Sequence, residues 1–237
     1  VSTDISAAPS PEEQIRRWAS QPSLPEAGSL QKRALLGAGI GAVCFLGLGY
    51  VLGWFGAVDL PRQFFLSYLV AFIFWFGVGL GCLTVLMIQH LTGGSWGLLL
   101  RRVLEAGACT LILMGILFIP LLFGMRSLYE WAQPVEEISK DPLLAHKYPY
   151  LNPTWFILRG IGYFAVWVVL VVLLRRWSAR QDQEPGGQEG ERCRILSGPG
   201  LVLLGITVSF AVIDWMMSLE PHWYSSIYPA MVGVGCL

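Results

Sequence analysis

Six ionisable side chains stand at the ends of long apolar runs, and these are the residues with chemistry to offer. Asp214 falls in the last turn of one run, Arg159 one turn into another, Glu105 at the start of a third and His90 at the close of a fourth. Glu220 and His222 follow Asp214 directly, in the stretch Glu220-Pro221-His222-Trp223-Tyr224. Ionisable groups held at membrane depth are costly, so they pair with one another or carry protons. Asp214 faces the negative end of its helix dipole, the unfavourable end for a carboxylate. It reads either as a proton carrier or as half of a buried ion pair or an interfacial cap. Arg159 either snorkels to the headgroups or pairs with Asp214, because antiparallel helices would set the two at one depth. Glu105 is favoured by the dipole at a helix start and has Arg101 and Arg102 beside it. With His90 it forms a candidate proton entry, against the plainer reading of a satisfied interfacial histidine. Glu220 and His222 lie beyond Asp214 toward water. They can pass a proton on, since histidine gains or loses one near neutral pH; the alternative is a decorated tight turn.

Other chemistries lack their residues. The three histidines, His90, His146 and His222, all lie away from mid-membrane, so axial bis-His haem ligation within the bundle is not available. The five cysteines, Cys44, Cys82, Cys109, Cys193 and Cys236, include no C-x-x-C pair and no C-x-x-C-H. They read as small apolar fillers rather than a redox or metal site. G-x-S-x-G, H-E-x-x-H and Walker A patterns are absent. The expectation is a chain with no catalytic residues, no metal and no cofactor of its own.

The elements that must position these residues are membrane helices. Of 237 residues, 54% are hydrophobic and 14% charged, against roughly 25% charged in an average soluble domain. Net charge is zero, which gives no hint of a nucleic-acid partner. Crossing ~30 Å of hydrocarbon takes about 20 apolar residues, and lipid forces them to be helical. Five complete runs qualify: Ala34–Val58, Phe64–Ile88, Val103–Phe123, Trp155–Leu174 and Pro199–Met217. A sixth begins near Ile227, and Tyr228–Leu237 covers about half of what a crossing needs, so further chain is expected beyond it. Gly37/Gly41, Gly49/Gly53 and Gly77/Gly81 are small-xxx-small pairs that allow close helix approach; they point to tight packing of the first two spans. Gly200, Leu203, Thr207, Ala211, Asp214 and Ser218 share one helix face, a small and partly polar stripe suited to a hydrated path or a close helix contact. The predicted fold is thus an all-α polytopic bundle over 34–237, preceded by a polar tail, 1–33.

Orientation is set by the basic residues. One side holds eleven: Arg16, Arg17, Lys32, Arg33, Arg101, Arg102, Arg175, Arg176, Arg180, Arg192 and Arg194. The other holds Arg62, Arg126, Lys140 and Lys147, with Arg159 just inside. The positive-inside rule puts the first side, with the N-terminus, in the cytoplasm. Loop 175–198, containing QDQEPGGQEGE, then reads as a flexible cytoplasmic linker, and loop 124–154 as periplasmic. Tyr148, Tyr150 and Trp155, with Trp223, Tyr224 and Tyr228, suit an interfacial aromatic belt.

Two stretches are more specific: HLTGGSWGLLLRRVLE from His90 to Glu105, and DWMMSLEPHWYSSIY from Asp214 to Tyr228. Both resemble the ActF subunit of bacterial alternative complex III, within the wider NrfD/polysulfide-reductase group of membrane subunits. The resemblance runs in order from the second span to the sixth and corresponds to the N-terminal part of such a subunit. It implies an NrfD-like fold in the bacterial inner membrane and a non-catalytic subunit of a quinol:electron-acceptor oxidoreductase. It further implies partners: a multihaem cytochrome c, an iron–sulfur subunit and a related NrfD-like membrane subunit, with menaquinol at or near the complex. On this resemblance His90, Glu105, Asp214, Glu220 and His222 are the proton-path candidates. The alternatives are a quinol-binding anchor of a related iron–sulfur or molybdenum oxidoreductase and a secondary transporter. Transporters often use broken helices around a midplane site, whereas the polar helix residues here lie near the ends.

Overall fold

The structure is a computed structural model that describes residues 60–94, 96–183 and 188–237, with a few scattered helical residues between Ser29 and Val43. The chain divides into two units, Val1–Val58 and Asp59–Leu237, and the second holds the helices described below. The tail 1–33 and the first expected span, Ala34–Val58, lie outside the described residues apart from those few positions.

Four helices are long and apolar enough to cross a membrane, and no strand occurs among the described residues. This is a multi-pass helical membrane protein. Helix α1 is Leu60–Thr92 and α2 is Trp96–Leu117. Short helices α3 (Ile119–Phe123), α4 (Met125–Leu128), α5 (Val135–Ile138) and α6 (Pro142–Lys147) fill the connection to α7, Pro153–Gln183. Helix α8 is Glu189–Trp215 and α9 is Tyr228–Gly235. The long helices form a closed square, α1 on α2, α2 on α7, α7 on α8 and α8 back on α1.

The four expected spans that fall on described residues are recovered, but their ends move. Helix α7 continues nine residues past Leu174 and α8 begins ten before Pro199, so the expected linker 175–198 is largely helical. Hydropathy reports where lipid ends, not where the helix ends. Arg, Ala and Gln in 175–183 are good helix formers, and Ser178 is fully buried there. Pro199 sits inside α8. In the turn before it, the Cys193 carbonyl accepts from the Ser197 hydroxyl at 2.7 Å. Helix α1 ends where Gly93 and Gly94 take φ of +67° and +94°, a left-handed step that suits glycine; the Gly93 N–H closes the helix on the Gln89 carbonyl at 2.9 Å.

Gly77 and Gly81 do pack closely, but their described neighbour is Cys236, just past α9. The contact of α1 with α2 instead uses Gly79 and Gly107. A Cβ on Gly79 would lie 2.9 Å from Thr110 Oγ1, and one on Gly107 would collide with Cys82. Because lipid offers no hydrophobic drive between helices, such close approach and ring packing hold the bundle. Trp215 centres the interior, with Phe72, Phe76, Phe118, Phe164, Tyr163 and Trp167 at ring-centroid distances of 4.9–6.3 Å. Pairs of this kind contribute about 0.5–1.5 kcal/mol each beyond their area.

Candidate functional site: two terminal polar clusters

At the end carrying the 124–152 connection, α7 and α8 are joined by the ion pair. Asp214 is fully buried and Arg159 is 18% exposed. The guanidinium donates from Nε to Asp214 Oδ2 at 2.8 Å and from Nη2 to Oδ1 at 3.0 Å, a bidentate fork. The Tyr163 hydroxyl, one turn along α7, donates to Oδ2 at 2.8 Å. Arg159 Nη1 donates to the Tyr150 carbonyl at 3.0 Å, and the guanidinium carbon lies 3.9 Å from the centre of the Tyr150 ring. Of the two readings of Arg159, the structure has the pair. The helix face of Asp214 is inward: Gly200, Thr207, Ala211 and Ser218 are buried, while Leu203 is exposed and Leu204 takes the inner place. It is a close helix contact; a Cβ on Gly200 would lie 3.0 Å from Met87 Sδ.

The connection folds over this cluster. Tyr129 donates to the Trp215 carbonyl at 3.0 Å and is buried with Trp131. Burial and the nearby Asp214 charge raise the Tyr129 phenol well above its ordinary value; the same two causes push Tyr150 up to about 12. Asp141 caps α6 by accepting from the Leu143 N–H at 2.9 Å and also meets His222 Nε2 at 2.8 Å. Desolvation works against its charge. The backbone N–H groups of Leu143 and Leu144 and the His222 ring outweigh that, and hold its carboxyl below the usual range. Lys147 donates to the Pro221 carbonyl. The structure therefore does not bring His222 to Asp214; it docks the ring on the connection. Glu220 is exposed and makes no hydrogen bond to Asp214. An open cleft of about 510 Å³ adjoins the pair, lined by Lys147, Tyr150, Leu151, Ile213, Met217 and Trp223 among others.

The arginine-rich end is built differently. Glu105 is 6% exposed and accepts from Arg101 Nε at 3.2 Å and Arg102 Nη1 at 2.6 Å, both from its own helix. Ser178 of α7 donates to the same carboxylate and receives from Arg101. Arg101 reaches Gln181 at 2.9 Å, and Arg102 also pairs with Asp182. His90 is within electrostatic reach of Arg101 and Glu105 but not hydrogen-bonded to either. Its Nε2, with Oε1 of the adjacent Gln89, is buried without a hydrogen-bond partner among the described residues.

Between the ends the described interior is aromatic and apolar. The contact between polar side chains there is Trp167 Nε1 donating to Thr207 Oγ1 at 2.9 Å, and no continuous chain of hydrogen-bonding side chains joins the clusters among the described residues. Nor do three or more His, Cys, Asp or Glu residues gather to hold a metal among them. Sequence reading missed Tyr163, Tyr150 and Ser178. Tyr163 carried a signal, standing four residues after Arg159 on the same face. Tyr150 and Ser178 fell in segments read as loops. No protein-family model matches the chain, and no curated protein matches it.

Proposed function

We propose that this chain is a cofactor-free membrane subunit of a quinol:electron-acceptor oxidoreductase of the alternative complex III type. Its work is to hold redox subunits at the membrane, with its arginine-rich end in the cytoplasm and the 124–152 connection in the periplasm. The observation that carries the reading is where the two ActF-like stretches lie. His90–Glu105 and Asp214–Tyr228 each enclose or border one terminal cluster, at opposite ends of one four-helix square. On this reading the periplasmic pair is a strut. Asp214 has its charge balanced and both oxygens engaged, so it holds α7 to α8 under the folded connection, where a partner subunit would dock. Proton handling falls to the other end, where His90 has a buried ring nitrogen without a hydrogen-bond partner among the described residues.

Purification of the intact complex through this chain tests the proposal. A multihaem cytochrome c, an iron–sulfur protein and a second polytopic subunit in fixed ratio are expected, with haem absorbance belonging to the cytochrome. A homogeneous protein free of redox partners would overturn it.

A further inference from the structure

Among the described residues, five arginines near the ends of the long helices are neutralised by carboxylates, while Arg62 and Arg180, like the pair considered below, make no ion pair. Arg101 and Arg102 pair with Glu105, Arg159 with Asp214, Arg192 with Glu189 and Arg194 with Glu191. Arg175 and Arg176, directly beyond the last apolar stretch of α7, make no ion pair among the described residues. Arg175 makes a long polar contact, Nη1 to the Cys109 sulfur at 3.6 Å. Both arginines line an open groove of about 260 Å³ between α2 and α7. Its walls are apolar, with Cys109 and Ile112 from α2 and Val171 and Val172 from α7, and no carboxylate lines it.

We infer that this groove binds one anionic phospholipid, its phosphate on Arg175 and Arg176 and the start of an acyl chain along Ile112, Val171 and Val172. The chemistry is that of the groove. Two unneutralised guanidinium forks match the oxygens of a phosphodiester, and an apolar channel runs from them toward the hydrocarbon at the depth where headgroups lie. Basic pockets between membrane helices select anionic lipids for this reason. The contrast with Arg101 and Arg102, which are held by Glu105, Ser178 and Asp182, gives the site its direction. The site rests only on the chain crossing a membrane, not on the redox proposal.

Native mass spectrometry of the detergent-solubilised full-length protein tests it, with phosphatidylglycerol and phosphatidylcholine as probes at equal concentration. One phosphatidylglycerol should be retained, and the combined variant R175A/R176A should weaken its binding about ten-fold or more while leaving phosphatidylcholine unchanged. V172W keeps both charges but fills the groove. It should also lose the lipid, and it decides the question if the arginine variant does not fold. Bound phosphatidylglycerol should slow maleimide labelling of Cys109 in the wild-type protein. Equal retention of the two lipids, full retention by V172W, or displacement of the lipid by inorganic phosphate at the same concentration would overturn the assignment.

Discussion

The two polar clusters contain the same chemical parts, a buried carboxylate and arginine, yet they are wired in opposite ways. Glu105 takes both of its arginines from its own helix, three and four residues back, so its charge is balanced before α2 meets any neighbour. Asp214 draws its arginine from 55 residues away on another helix, and its tyrosine from 51. One cluster is a local device that a neighbouring helix later touches through Ser178. The other exists only when α7 and α8 are already together, so it reports on and enforces tertiary structure. A charge pair of the second sort is the one whose halves cannot be separated cheaply, because each half alone is a buried, unbalanced ion.

Breaking each cluster should therefore give different losses. Arg159→Ala leaves Asp214 fully buried and unpaired, and should cost about 3–5 kcal/mol. The check is the fraction of folded monomer recovered from membranes, with Arg159→Met/Asp214→Leu recovering much of the loss, since removing both charges strands neither. Glu105→Gln should cost less, about 1–3 kcal/mol. Arg102 is 54% exposed and keeps Asp182, and Arg101 keeps its hydrogen bonds to Ser178 and Gln181 while losing its counter-charge. If thermal unfolding ranks these two in the reverse order, the contrast between local and long-range wiring fails. Trp167→Phe removes the indole donor to Thr207 between the ends. Because that hydroxyl also donates to its own helix's carbonyls, the loss should be about 1 kcal/mol and should leave both clusters intact. A large loss would mean that the ends communicate through the core.

The smallest effect belongs to the rim. Asp141→Asn should lower the melting temperature slightly by loosening the α6 cap and its tie to His222. The Asp141 pKa is depressed below its ordinary 3.8 in the folded protein. Its contribution is therefore in place above that value and is lost as pH falls through the lower, folded one. The melting difference between wild type and variant should hold steady on the acid side down to about pH 4 and then vanish. A difference that persists at lower pH would place its origin elsewhere.

The same contrast explains what could be read in advance. The Asp214–Arg159 pair was accessible from sequence because antiparallel spans fix relative depth, and the arginines beside Glu105 because helix spacing is local. The fate of Ser178 was not accessible. Its segment is polar, and hydropathy registers the edge of the hydrocarbon rather than the end of a helix. For the same reason α7 and α8 run well past their apolar stretches, and Pro199 sits inside a helix it was expected to begin. The short helices of 124–152 carry no periodic signal. Helices of four to six residues are not stable alone, and these are held by contacts such as Tyr129 to Trp215 and Asp141 to His222. Gly77 and Gly81 announced a close contact; among the described residues it is made with Cys236, and the first span expected to share it lies largely outside them.

The most direct test is the yield of redox complex recovered through an Asp214→Asn chain, measured beside the proton-to-electron ratio of whatever assembles in vesicles. The variant keeps the shape of the side chain and an acceptor oxygen but removes the charge that balances Arg159. The complex, with its cytochrome and iron–sulfur protein, should fall to a small fraction of the wild-type yield. Full yield with a lowered proton-to-electron ratio would contradict this, and would make Asp214 a proton carrier rather than the strut between α7 and α8.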